Sequence, residues 1–334
     1  MKRLLAAMTF VAALVVAAAP VGAQKTVTFA YQDMMNPWRW VQQSQEIEKA
    51  TGFKISWRQF GGGGDVIRAM ASGDVQLGEV GSTGVATAIS QGMDVDLFWI
   101  LEDIAAAEAL VVRNGSGINT VADLKGKKIG TPFVSTSHFQ LLYAMQQAGL
   151  KASDAQVLNM RPPEIAAAWS RGDIDATFIW DPVLSNVKKT GKVLVTSGDI
   201  CKKGACTFDG LVVTKKFAKD NPEFMVVLVK ALAKADADYR ANPKAWTSDP
   251  AKVAAVAKWS GGKPEEVADA MALYGFPSLQ EQASPAWLGG GASGAATKAL
   301  AQQANFLKDQ GRLTAVAPDF SRNVTIEWVT KAMK

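Results

Sequence analysis

The chain has 334 residues, 48% of them apolar, with 36 Lys and Arg against 31 Asp and Glu for a formal charge of +5. That length and apolar content suit two packed cores better than one. The basic residues form no dense block: Lys188-Lys189 and Lys215-Lys216 are isolated pairs, which reads as solvated surface and not as a nucleic-acid patch.

In chain order, Lys2 and Arg3 precede an apolar run from Leu4 to Ala19, closed by Pro20 and the small residues Val21-Gly22-Ala23. This three-part pattern predicts a cleaved secretory signal peptide over residues 1–23. The run is shorter than the about 20 residues a membrane span needs, and no Cys follows it to carry a lipid. A mature chain starting at Gln24 would have 311 residues and a charge of +3. The remaining elements alternate between strand and helix. Thr26–Gln32 reads as a buried strand, followed by a helix capped at Asn36, with Pro37 in its first turn and Gly52 at its end. Residues 53–60 alternate like a half-buried strand. Asp65 is placed to cap a short helix ending at Gly73. Residues 75–81 read as a strand, and Ser82-Thr83 open a helix that ends near Gly92. Strands follow at 95–101 and 108–114.

From about Thr120 a second unit repeats the scheme. It has a strand before Phe133, a helix opening at Ser135 and ending at Gly149, and a strand at 155–160. A proline-started helix then stops at Gly172, followed by strands at 176–180 and 192–197 around a helix from Pro182. The strand Phe208–Phe217 leads into four helices at 222–242, 250–261, 264–275 and 293–312, with residues 287–294 as a glycine-rich loop. This is an α/β pattern with open sheets, whose ligands bind beyond the strand ends beside helix N-termini. Cys201 and Cys206 have the spacing of a short-loop disulfide in an exported chain. With His138 as the sole imidazole, far from the cysteines in sequence, a zinc site is not expected.

Five segments together resemble the taurine-binding proteins of ABC importers: Thr28–Gln32, Ala71–Gly84, Gly130–Leu142, Arg161–Pro182 and Thr207–Val213. The wider group includes alkanesulfonate-, nitrate- and pyrimidine-binding proteins. The resemblance implies a periplasmic-binding-protein type II fold, with two α/β lobes joined by a two-crossing hinge and the ligand cleft between them. Lobe one would comprise 24–112 and 209–334, and lobe two 113–208. It implies a periplasmic, monomeric capture protein with no cofactor, handing its ligand to a permease and, through it, an ATPase.

Taurine carries a sulfonate at one end and an ammonium at the other. The sulfonate asks for hydrogen-bond donors, which helix N-termini supply. Ser82 and Thr83 in one lobe and Ser135 and Thr136 in the other are the candidates, with Gln32 in support; each Ser also suits a plain N-cap. The ammonium asks for carboxylates, here Asp209 and Glu108, both near the expected hinge and favoured in that order by the resemblance. Trp180 can wall the cleft against the two-carbon stem. Asp181 stands where a small neutral residue is expected in relatives, and either meets a cationic ligand or caps the next helix. The competing readings are a binder of an alkanesulfonate or nitrate, or a pyrimidine-related enzyme using His138. No GxSxG, HExxH or GxxxxGK[ST] motif is present.

Overall fold

The computed structural model describes residues 24–334, so the signal peptide expected over 1–23 lies outside the described residues. Ten strands follow the anticipated order: β1 (Thr26–Tyr31), β2 (Lys54–Gln59), β3 (Leu77–Gly81), β4 (Val95–Asp103), β5 (Glu108–Arg113), β6 (Lys128–Thr131), β7 (Gln156–Asn159), β8 (Ala176–Trp180), β9 (Gly191–Thr196) and β10 (Phe208–Thr214). They form two five-stranded sheets, ordered β2-β1-β3-β10-β4 and β7-β6-β8-β5-β9. β1, β2 and β3 are parallel, and β10 runs antiparallel between β3 and β4. The second sheet repeats this, with β6, β7 and β8 parallel and β5 antiparallel between β8 and β9. In each sheet the antiparallel strand is the one that has just crossed from the other lobe.

This topology corrects the first lobe boundary. Residues 108–112, read as the end of lobe one, pair within the second sheet, so the first crossing is the segment 104–107. A strand buried on both faces carries the same apolar signature in either sheet, so the pattern of β5 alone did not tell its lobe. The second crossing ends where β10 begins at Phe208.

Two local readings also change. The helix expected from Asn36 to Thr51 is two helices, Trp38–Ser44 and Glu46–Thr51, broken at Gln45 with φ 55°. In one continuous helix, at about 100° per residue, Ile47 would face away from Trp38; the break lets both be fully buried. Asn36 caps nothing: its side-chain amide points to Glu102. Asp65 lies inside the helix Gly63–Ala71, where its carboxylate pairs with Arg68 and with Arg161 of the opposite lobe.

Helices cover both faces of each sheet. The first lobe has a large apolar core built on Phe29, Leu77, Leu97, Trp99 and Leu211, and a second around Tyr239, Trp246 and Met271. The second lobe has a core on each face of its sheet, one around Phe139 and Phe178, the other around Trp169 and Ile179. Met34, from the first lobe, packs into the latter.

Candidate ligand cleft between the lobes

The ends of β1, β3 and β10 face those of β5 and β8 across a narrow cavity with about 10 Å³ of free space. The first lobe contributes Gln32, Met34, Gly63, Gly81 and Asp209 to its wall. The second contributes Glu108, Ser135, Thr136 and Trp180. That free space is room for about one water molecule, so the lobes have to part for a ligand to enter. The lobes are closed on one another. Trp180 donates its indole N–H to Asp33 Oδ1 across the cleft at 2.6 Å. At Gly81 a Cβ would come within 2.9 Å of Thr136 Cγ2 and 3.0 Å of Asp209 Oδ1, so only glycine lets the facing surfaces meet there.

Two carboxyl groups, Asp209 from the first lobe and Glu108 from the second, line the cavity. Asp209 is 4% exposed, and no hydrogen bond reaches its carboxylate among the described residues. Burial, then the charges of Glu102, Glu108 and Glu79, hold it well above the usual carboxylate range. Glu108 accepts from Thr136 Oγ1 at 2.5 Å and Ser197 Oγ at 3.2 Å, and burial raises it to about 7 against those bonds. Behind them, Glu79 on β3 is paired with Arg39 at 2.9 Å, both side chains fully buried. The Arg39 guanidinium is saturated: it also donates to Gln42 Oε1 and to the carbonyls of Gln32 and Met34. Glu102 on β4 is fully buried, touched by the Asn36 amide at 3.3 Å, and lies opposite Asp209 in the β4–β10 register.

The donor side is made differently from the sequence expectation. Ser82 and Thr83 do open a helix, Ser82–Ser90, but their hydroxyls turn away from the cavity and donate to Gln303 Oε1 at 3.0 and 2.7 Å. The late helix Ala295–Asp309 packs there and offers both hydroxyls a buried acceptor. The helix start itself carries no side-chain cap, so its first-turn N–H groups have no side-chain acceptor. In the other lobe Ser135 takes the plain N-cap role: it accepts from His138 N and donates to the Pro132 carbonyl, while still lining the cavity. Thr136 is committed to Glu108. Gln32 donates its side-chain amide to the Glu79 carbonyl at 3.0 Å and remains in the wall.

The model of the family described as NMT1/THI5 like matches residues 49–246. The taurine-binding periplasmic protein of Escherichia coli is 37% identical over 303 residues, 91% of this chain and 92% of that protein. The chain belongs to the NMT1/THI5-like family. Among solved structures, the aliphatic sulphonate binding protein of Escherichia coli matches with TM-score 0.69 and 25% identity, over 90% of this chain and 91% of that one. The alkanesulfonate-binding protein of Xanthomonas axonopodis pv. citri, bound to MOPS, matches with TM-score 0.70 and 23% identity, over 88% and 96%. The fold is thus that of periplasmic binding proteins, and by their names these relatives are binding proteins rather than enzymes.

In this NMT1/THI5-like chain the other singled-out residues fall outside the cavity wall. Asp181 Oδ1 accepts from Ser185 N at 2.8 Å, a helix-capping contact, while its buried Oδ2 has no hydrogen-bond partner among the described residues. His138 is buried, stacks on Phe133 at 4.2 Å, and is lowered to about 3 by burial and then Arg312, so it stays neutral at physiological pH. Cys201 and Cys206 form a disulfide in the second crossing. Sequence reasoning missed Arg39, Glu79 and Glu102. The signal for Glu79 and Glu102 was an acid inside or near the end of an apolar strand, in VQLGEVG and VDLFWILED, since ionisable groups are rarely fully buried without a partner.

Proposed function

We propose that this protein is the solute-binding component of an ABC importer, which captures taurine in the periplasm and delivers it to a permease served by an ATPase. The observation that carries this reading is the two-ended cavity. An unpartnered buried carboxylate, Asp209, lines the same narrow cavity as Glu108, and the wall also holds Gly81, which precedes an uncapped helix start, and Ser135 and Thr136 at a second helix start. A buried ammonium requires such acceptors. A sulfonate, ionised at any physiological pH, is well served by neutral backbone donors at the starts of the helices at Ser82 and Thr136, with Ser135 and Gln32 beside them. Trp180 supplies the apolar wall along the stem. The name of the Escherichia coli relative agrees with this ligand.

The sulfonate-binding neighbours favour a second reading, a plain alkanesulfonate as ligand. Such a ligand has no use for Asp209 or Glu108. Calorimetry with taurine, butanesulfonate and nitrate decides between them: taurine should bind tightest by at least tenfold, and equal or tighter binding of butanesulfonate would overturn the taurine assignment. Export rests on the pattern in residues 1–23. The exported protein should have the mass of a chain starting within a residue of Gln24, and a full-length mass would refute the periplasmic placement. The protein is expected to act as a monomer, which light scattering checks.

A further inference from the structure

Two carboxyl side chains, Asp209 and Glu108, line the cleft, and a third, Glu102, is fully buried behind it on the strand beside Asp209, none of them with a cation of its own. Arg39, the nearby guanidinium, is spent on Glu79 and three other acceptors. Asp209 and Glu102 are register partners on adjacent antiparallel strands, so their side chains share one face of the sheet. Both are buried, and Glu102 has only a neutral amide beside it. Every other titratable group facing the pair adds no positive charge. Glu79 comes from β3, Glu108 from β5, Asp236 from the helix Pro222–Ala241, and Tyr274 from the segment after the helix Val267–Met271. The Tyr274 hydroxyl is buried without a hydrogen-bond partner. Two like charges in such surroundings cannot both persist. Burial comes first among the causes that raise each acid; the next is Glu79 for Glu102 and Glu102 for Asp209, while the Arg39 charge lowers both.

We propose that Asp209 and Glu102 share one proton in the ligand-free protein, and that an entering ammonium displaces it to solvent. Glu102, which does not line the cavity, is then the positioning residue that makes the site respond to a cationic end group. The proposal rests on the reading that the ligand carries an ammonium. The balance is simple: the pair goes from one negative charge to two, the ammonium brings one positive charge, and one proton leaves. A ligand without an ammonium leaves the shared proton in place. Taurine affinity therefore falls as pH falls below the pair's upper titration, by up to about tenfold per pH unit, the slope for one linked proton. Butanesulfonate affinity does not follow it.

The test is titration calorimetry of the mature protein at several pH values between about 6 and about 8, in buffers of different ionisation enthalpy. Taurine should release up to one proton, most at the acid end, and butanesulfonate none. Glu102→Gln should still bind taurine but release far less proton, with a flattened pH profile. Taurine binding that is independent of buffer overturns the proposal and leaves the ligand reading standing. Undiminished release from Glu102→Gln also overturns it, placing the proton on Glu108 or Asp33 instead. Failure of taurine to bind the folded wild type removes both. Should Glu102→Gln not fold, the wild type carries the test through its infrared difference spectrum. Taurine should remove a protonated-carboxyl band there, and an unchanged band counts against the shared proton.

Discussion

At the scale of single residues, the proposed ammonium site turns on Asp209, whose carboxylate lines the cavity with no hydrogen-bond partner among the described residues. Removing one member of a buried charge pair commonly costs about 3–5 kcal/mol. Asp209→Asn should therefore weaken taurine by two or more orders of magnitude while changing butanesulfonate affinity much less; calorimetry on both ligands checks this. Gly81 makes the complementary point about shape. A methyl group there meets Thr136 of the opposite lobe at 2.9 Å. Overpacking of this kind costs about 1–3 kcal/mol. Since Thr136 belongs to the other lobe, most of that cost falls on closure. Gly81→Ala is expected to weaken every ligand by roughly ten- to a hundredfold, at about 1.4 kcal/mol per tenfold. Its melting temperature without ligand should change less than its affinity.

At the scale of elements, the helix Ala295–Asp309 spans the hinge side of the molecule. Its Gln303 accepts from Ser82 and Thr83 at the head of the helix Ser82–Ser90 and donates to the Cys206 carbonyl in the second crossing. Gln302 reaches the Gly204 carbonyl in the same crossing. Phe306 lies edge-on to Phe139 of lobe two at 5.1 Å. One late helix thereby anchors the helix start at Ser82 and the disulfide-closed loop through which the chain returns. Gln303→Ala strands two buried hydroxyls, at about 1–3 kcal/mol for a lost buried partner. The expected outcome is a lower denaturant midpoint with taurine affinity altered less than tenfold. A large affinity loss without destabilisation would instead make Ser82 and Thr83 direct ligand contacts.

At the scale of the whole molecule, both lobes contribute to one small cavity, so a ligand touching both favours the closed arrangement by its differential affinity. Across the cleft the lobes themselves meet through Trp180–Asp33 and the pair of exposed Arg161 with half-buried Asp65. The small-angle scattering profile should become more compact on saturation with taurine, and an unchanged profile would count against closure. Burial also sets the pH response of stability. Asp33 and Asp96 are raised to about 6 and Glu108 to about 7, burial being the first cause in each case. An acid whose folded value is raised binds more protons folded than unfolded, so its contribution to stability declines as pH rises through that window. Ligand-free protein should therefore resist denaturant better near pH 5.5 than near pH 8, with the loss concentrated between about pH 4 and about 7. Taurine should reduce that difference, because its ammonium stabilises the ionised acids.

The sequence by itself determined what depends on near neighbours along the chain. The apolar runs of β1, β3, β4 and β8 announced buried strands. Ser82 and Ser135 marked helix starts, and the spacing of Cys201 and Cys206 marked their pairing. Asp209 was found because it begins the strand that returns to the first lobe. Tertiary structure decided whatever depends on a distant partner. The Ser82 hydroxyl points to Gln303, 221 residues away, and a rotamer chosen by so remote an acceptor leaves no local trace. Arg39 and Glu79 are 40 residues apart and meet only when β3 packs under the first helix. Glu102 reaches Asp209 only through the register of β4 with β10, and β5 joins the second sheet because β8 and β9 satisfy its backbone on both sides. Periodicity and capping are short-range, set within a turn or a strand, whereas the pairing of buried charges is set by the packing that removes them from water.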